Sequence, residues 1–248
     1  MSDWNDHFST VAESYRRWRP GYPRALFDYL ATTAPGRGLA WDCATGNGQA
    51  ATMLGEVFTR VLATDASAAQ IASAEPHPHV EYRVARAECC PFNDASVDLV
   101  TAAQALHWFD IEAFWREVHR VLRPHGAVAV WGYGLASVDP GVDEAIREFS
   151  SRTVGPYWPP QRGIVDASYA GVSFPFELLS APSFSMTAHW SLDHMLAYIG
   201  TWSSVDGYRQ QKDEDPMPAF AERLAGVWSD PQRRREISWP LILKVGRV

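Results

Sequence analysis

The 248-residue chain is long enough to bury a full core, and 46% hydrophobic against 21% charged residues excludes a mainly disordered protein. A net charge of -7 disfavours a broad phosphate-backbone footprint, and three cysteines without CxxC spacing exclude a disulfide framework and a zinc cluster. No apolar run is long enough to span a bilayer, and the N-terminus has neither a basic start nor an apolar stretch. The expectation is a cytoplasmic protein with no membrane or nucleic-acid partner.

Two helices are expected first, Phe8 to Arg19 and Pro23 to Ala31, split at Pro20-Gly21-Tyr22-Pro23. From Leu39 to Tyr133 strand and helix patterns alternate. Strands are read at Leu39–Cys43, Arg60–Asp65, Val80–Val84, Val97–Ala102 and Ala127–Trp131. Helices are read at Gln49–Val57, at Ser67–Glu75 with Ser67 as cap, and at Ile111–Leu122. The last has a stripe of Phe114, Trp115, Val118 and Val121. Pro124-His125-Gly126 reads as a turn. Such alternation implies crossover units, a parallel sheet and helices on both faces, hence the α/β class. The regularity stops after Tyr133. A helix near Val142–Phe149 and a loop at Gly155–Pro160 suggest an insertion or lid. Phe184–Trp190 and Ile237–Val245 look like late strands, with helices at Leu192–Ile199 and Ala219–Val227 between them. Cys43, Cys89 and Cys90 read as small buried residues. Eleven tryptophans exceed what the core requires, so some are expected in an apolar cleft.

Open parallel sheets bind ligands at the carboxyl ends of their strands, where the strand order reverses. Asp42, Asp65 and Glu88 end or follow the first three strands and are expected to face one crevice. In the loop Asp42-Cys43-Ala44-Thr45-Gly46-Asn47-Gly48, the two glycines permit a tight turn and close approach of a ligand. Asp65 is well placed for two ribose hydroxyls. Gly46-Asn47-Gly48-Gln49-Ala50-Ala51 also satisfies the dinucleotide pattern G-x-G-x-x-A, so an NAD(P)-dependent oxidoreductase is a rival. Asp42 opposes a pyrophosphate, by roughly 3 kcal/mol for one charge pair about 5 Å apart at an effective dielectric near 20. The same acid attracts an ammonium and a sulfonium.

These residues resemble the class I S-adenosylmethionine-dependent methyltransferases. Asp42-x-Ala44-x-Gly46-x-Gly48 is similar to their glycine motif, with Ala44 where a glycine is usual. Asp65 and the adjoining Ala66 match the ribose-binding position. Ala87-Glu88-Cys89-Cys90-Pro91-Phe92-Asn93-Asp94 resembles the segment that flanks the adenine. Gln104–Asp110 and Leu122–Gly126 extend the likeness. Phe8–Tyr15, Arg19–Pro23, Thr201–Val205 and Trp239-Pro240 resemble the branch containing trans-aconitate methyltransferase-like proteins. The resemblance implies a Rossmann-like, seven-stranded sheet with its last strand antiparallel beside the fifth. It implies S-adenosylmethionine as cofactor and S-adenosylhomocysteine as product. It frames one domain over 1–248, with a helical cap (1–35), a cofactor core (36–133), an insertion (134–182) and C-terminal elements completing the sheet (183–248).

The implied reaction moves a methyl from sulfonium sulfur to O, N or C of a small acceptor, largely through proximity and orientation. His107 reads as a general base, as an acceptor or cofactor contact, or as a structural ring. Gln104 is expected near the sulfonium. Tyr15 and Arg19 share a helix face, which suggests a lid over the cofactor. Trp108, Trp131, Tyr133, Tyr157 and Trp158 are expected to wall the acceptor pocket, with His107 and Arg19 at its polar end. Arg233-Arg234-Arg235 reads as a solvated basic face. A non-catalytic or nucleic-acid-binding member of the fold is the third possibility.

Overall fold

The computed structural model describes residues 18–248; the expected helix from Phe8 and Tyr15 within it lie outside these residues, which include only its expected end, Trp18 and Arg19. Helix α1 (Arg24–Thr33) starts directly after Pro23 and buries Leu26, Phe27, Leu30 and Ala31. Then β1 (Leu39–Cys43), α2 (Gln49–Gly55), β2 (Arg60–Asp65), α3 (Ala68–Ala72) and β3 (Val80–Val84) alternate. They are followed by β4 (Val97–Ala103), α4 (Ile111–Val121) and β5 (Leu122–Tyr133). The first five strands are parallel in the order β3-β2-β1-β4-β5, so the order reverses between β1 and β4.

Strands β1, β4 and β5 are buried on both faces, which is why they read as continuous apolar runs. Along β5, Val128 and Val130 pack against α4 on one face, while Ala127, Ala129 and Trp131 pack against α1 and α2 on the other. On α4, Phe114, Trp115, Val118 and Val121 are buried, each stabilising by roughly 1.5–3 kcal/mol. Its N-terminus is capped by Asp110 Oδ1, which accepts from Ala113 N at 3.0 Å. Ser67 Oγ caps α3 through Gln70 N.

The C-terminal half adds α5 (Pro140–Glu148), α6 (Arg162–Asp166), β6 (Glu177–Leu178), β7 (Ser185–Trp190), α7 (Leu192–Gly200), α8 (Ser203–Lys212), α9 (Met217–Trp228) and β8 (Arg235–Arg247). Strand β8 is antiparallel to β5, pairing Ala127 with Arg247 through Tyr133 with Leu241. Its first half pairs with β7 and its end with β6. The bridge Ser137–Ser238 continues the β5 side, so β6 and β7 share the opposite edge of β8. The sheet is thus seven positions wide, with the outermost position divided between two strands. A second apolar cluster, built on Tyr198, Trp202, Trp228 and Trp239, holds α5, α7, α8 and α9 together.

Three local readings change. Strand β5 begins at Leu122, because Pro124-His125-Gly126 is an irregularity inside it: pairing skips from Val97–Leu122 to Leu99–Ala127, and His125 has φ 64°. Helix α8 has no counterpart in the apolar pattern, since only Ser204 and Val205 are buried on it. Cys89 is exposed, whereas Cys43 and Cys90 are buried.

One buried charge ties this frame together. Asp98 is fully buried; its Oδ2 accepts from Gly38 N and Leu39 N at 2.9 and 2.8 Å, and its Oδ1 pairs with Arg123 at 2.9 Å. Arg123 is 39% exposed, which weakens the pair. Asp98→Asn should therefore cost about 2 kcal/mol of stability, read from the urea midpoint; an unchanged midpoint would deny the carboxylate that role.

Candidate active site

The β1–α2 loop sits at the reversal of strand order. Thr45 N donates to Thr64 O at 2.9 Å, and Gly48 N to Thr45 O at 3.0 Å. Asp65 holds the loop from β2: its Oδ2 accepts from Gly46 N and its Oδ1 from Ser67 N, both at 2.8 Å. Gly48 has φ 90°, and a Cβ there would lie 2.2 Å from Tyr82 Oη, so the backbone passes where no side chain fits. Gly46 (φ 57°) and Ala44 (φ 53°) are also left-handed; Ala44 adopts the conformation for which glycine is usual. Gln49 Nε2 donates to Pro20 O at 2.9 Å, tying the segment that carries Arg19 to the loop helix.

Asp42 lies beneath this loop. It is fully buried, its Oδ2 accepting from Thr45 Oγ1 at 2.6 Å and its Oδ1 from Thr101 Oγ1 at 2.7 Å. Burial pushes its carboxyl up to about 6 against those two hydroxyl donors. Asp42 therefore lies beneath the loop, and the expectation that it faces the crevice alongside Asp65 is corrected. The register explains why: β1 pairs Asp42 directly with Thr101 of β4.

The segment after β3 is clamped from α4. Glu117 Oε1 accepts from Cys90 N at 2.9 Å, and Arg120 bridges Glu117, Asp94 and Phe92 O. Glu88 Oε1 accepts from Asp110 N and its Oε2 pairs with Arg86, both at 3.2 Å; Ala87 beside it is buried. Ala66 is half-buried between Asp65 and the cap Ser67.

A cleft of about 800 Å³, counted out to its open mouth, lies beyond the ends of β4 and β5. Gln104, His107 and Trp108 enter it after β4, and Tyr133 and Leu135 after β5. Trp158 and Arg162 enter from the insertion, and Tyr198, Thr201, Trp202 and Asp206 from α7 and α8. Gln104 (φ 53°) cross-braces the strand ends: its Oε1 accepts from Tyr133 N at 2.9 Å and its Nε2 donates to Tyr133 O at 3.2 Å. His107, on a short 3-10 turn, is 9% exposed and its Nδ1 has no hydrogen-bond partner. Burial and then the Arg162 guanidinium hold its imidazole down to about 4, opposed by Asp166. It is neutral at physiological pH.

Of the expected pocket wall, Trp108, Tyr133 and Trp158 line the cleft. Trp131 does not: it is fully buried on the α1 side of the sheet, edge-on to Tyr22 at 5.5 Å and Phe27 at 6.2 Å. Strand alternation turns it away from Val130. Tyr157 packs edge-on against Tyr208 at 5.0 Å and is not among the lining residues. Arg19, expected both over the cofactor and at the polar end of the acceptor pocket, lines this cleft, donating to Tyr133 Oη at 3.1 Å with its guanidinium 5.2 Å from the Tyr198 ring centre. The resemblance had marked Thr201–Val205 without a role; its first three residues are cleft wall. Arg162 had no signal in the sequence beyond lying in the insertion.

Among the described residues no group of three or more His, Cys, Asp or Glu could hold a metal, and no helix is long and apolar enough to cross a membrane. A methyltransferase domain model matches residues 41–130, the stretch from β1 into β5. A provisionally named methyltransferase from Dictyostelium discoideum is 32% identical over 225 residues, covering 89% of this chain and 86% of that protein. A solved structure from Anaeromyxobacter dehalogenans, provisionally named a type II methyltransferase, is 44% identical with a TM-score of 0.87, covering 92% of this chain and 97% of its own. The sheet order, the glycine loop at its reversal and a relative of this identity over most of both chains lead to one conclusion: the protein is an enzyme of the class I S-adenosylmethionine-dependent methyltransferase family.

Proposed function

We propose that the enzyme transfers a methyl group from S-adenosylmethionine to an oxygen, nitrogen or carbon of a small organic acceptor bound in the cleft beyond β4 and β5. The carrying observation is the adjacency of two sites: the glycine loop follows β1, the cleft opens after β4, and β1 and β4 are paired neighbours. The loop residues fit the donor. Gly46 leaves its backbone open, with only Gln70 Oε1 within reach of a Cβ there, at 3.8 Å; Asp65 stands at the end of β2, and Asp42 sets a negative field that suits a cation better than a pyrophosphate. When bound, the donor supplies an activated methyl on a sulfonium. Asp65 then hydrogen-bonds the ribose, and the Ala87–Glu88 segment flanks the adenine. Gln104 keeps the ends of β4 and β5 in fixed register, and the aromatic walls exclude water and align a largely apolar or planar acceptor. His107, neutral and with Nδ1 unpartnered, serves the acceptor as a hydrogen-bonding group.

Two measurements test this. Calorimetry should detect S-adenosylhomocysteine binding, with NAD as the negative control. Asp65→Ala should weaken that binding by roughly one to two decades, from lost charged hydrogen bonds of about 1.5–3 kcal/mol. Unchanged affinity in the folded variant would remove Asp65 from the ribose. A turnover panel of aromatic metabolites and trans-aconitate with S-adenosylmethionine reads the acceptor. His107→Ala should abolish turnover while cofactor affinity holds. Strong turnover of the tricarboxylate alone would sink the apolar acceptor, and a fall in cofactor affinity would move His107 to the cofactor.

A further inference from the structure

The acceptor cleft does not end at its wall. A second cavity, lined by Arg147, Ser150, Ser151, Gly155 and Asp166, shares Leu135, Trp158 and Arg162 with it. Those three residues form the partition between the two spaces. Arg162, at the first turn of α6, is held there from two directions. Its Nε donates to Asp166 Oδ1 at 2.8 Å, and its guanidinium lies 4.7 Å from the centre of the Trp158 ring. Trp158 is itself fixed by Nε1 donating to Ser150 O at 3.1 Å and by contact with the Trp202 ring at 5.4 Å.

The side chain of Arg162 is only 17% exposed and ion-paired with Asp166 through Nε, yet neither Nη donates a hydrogen bond among the described residues. A guanidinium with its Nε and its face occupied has one edge left, the parallel Nη donors. That edge matches the two oxygens of a carboxylate. The cleft offers little to compete for it: Asp206, the acid on the inner lining, pairs with Arg209. His107 is uncharged at physiological pH, so it does not compete with Arg162 for an anion.

We propose that Arg162 is the anion anchor of the acceptor site, gripping a carboxylate that the acceptor carries apart from the atom to be methylated. This rests on the reading of the cleft as the acceptor site and narrows its substrate to acids with a separate nucleophile. The separation follows from position. Gln104 stands at the end of β4, the strand paired with β1 whose end carries the glycine loop, whereas Arg162 stands on the partition shared with the outer cavity. A carboxylate held by both Nη groups also has its charge and lone pairs engaged, which makes it a poor methyl acceptor.

The full-length protein saturated with S-adenosylhomocysteine is titrated calorimetrically with 2-naphthoate, neutral 2-naphthamide and naphthalene-2-sulfonate. Naphthoate should bind about 10- to 100-fold tighter than the amide, and tighter than the sulfonate, whose less basic oxygens accept weaker hydrogen bonds. Arg162→Gln should erase the preference over the amide, and Arg162→Lys should keep only part of it. Both variants should retain wild-type affinity for S-adenosylhomocysteine, which confirms folding. Equal binding of naphthoate and amide, no binding of naphthoate, or an undiminished preference in Arg162→Gln would overturn the anchor. Tighter sulfonate binding would overturn the carboxylate. With S-adenosylmethionine present no methyl naphthoate should form, and rapid ester formation would overturn the separation of anion and nucleophile. Should S-adenosylhomocysteine itself fail to bind, the cofactor reading falls, and the anion preference is read on the protein alone.

Discussion

Gly48→Ala should cost about 2–5 kcal/mol of stability and remove measurable cofactor binding. Two penalties add. Gly48 has φ 90°, and a residue with a Cβ held in the left-handed region costs about 1–2 kcal/mol. The new Cβ would also meet Tyr82 Oη at 2.2 Å and its Cζ at 2.9 Å, and Tyr82 cannot easily swing away because its hydroxyl donates to Glu75 O at 2.7 Å. Overpacking of this kind costs about 1–3 kcal/mol. Urea unfolding reads the first effect, and calorimetry with S-adenosylhomocysteine reads the second. Adding Tyr82→Phe removes the nearest atom and should restore part of both losses. Gly46 gives the contrast: at φ 57° its Cβ would meet only Gln70 Oε1, at 3.8 Å. A folded Gly48→Ala protein with wild-type cofactor affinity would show that this loop is not the cradle.

Stability against pH should be nearly flat between pH 4 and 6.5 in the native protein as far as Asp42 and His107 govern it, and steep in opposite senses once either is removed. The Asp42 carboxyl is raised from 3.8 to about 6, so the native state binds the extra proton in that window. Its contribution to stability declines as pH rises through the window, by about 3 kcal/mol in all. The His107 imidazole is lowered from 6.5 to about 4, so the unfolded state binds the extra proton. Its contribution is complete above 6.5 and is lost as pH falls toward 4, again by about 3 kcal/mol. The two slopes oppose each other. Asp42→Asn should therefore make the protein more acid-labile across this range, and His107→Gln should make it more stable on acidification. Urea midpoints at a series of pH values measure both. Variants whose pH curves run parallel to the native protein's would show that these two groups are not displaced as their burial requires.

Much of this molecule is written in local sequence. Leu39–Cys43 and Arg60–Asp65 are legible as strands because runs of apolar residues punctuated by glycine or an acid carry their own boundaries, and Val80–Val84 because apolar and charged residues alternate along it. The glycine loop and Asp65 are legible for the same reason: backbone freedom and a strand-end acid are local properties, and together they point to the family. The length of β5 was not legible, because an irregular turn inside a strand becomes extended structure only when neighbours pair on both sides of it. Helix α8 was hidden because few of its residues are apolar; Gly207 on it faces the backbone of Tyr157, a contact between distant parts of the chain.

The cleft beyond β4 and β5 was decided almost wholly by tertiary structure. Trp131 and Tyr133 are equally aromatic in sequence and, two apart on β5, share a face; position along the strand puts the first in the core and the second, at the strand's end, in the cleft. Asp42 and Asp65 are equivalent strand-end acids in sequence. Pairing with Thr101 sinks the first beneath the loop, while the second reaches Gly46 N. Arg162 stands at a wall shared by two cavities because Asp166 and Trp158 fix its Nε and its face there. The sequence by itself determined the sheet, the glycine loop and the family, since these rest on periodicity and backbone chemistry over a few residues. Which side chains meet across the cleft was decided by strand register and the packing of α6, α7 and α8, which bring together residues far apart in the chain.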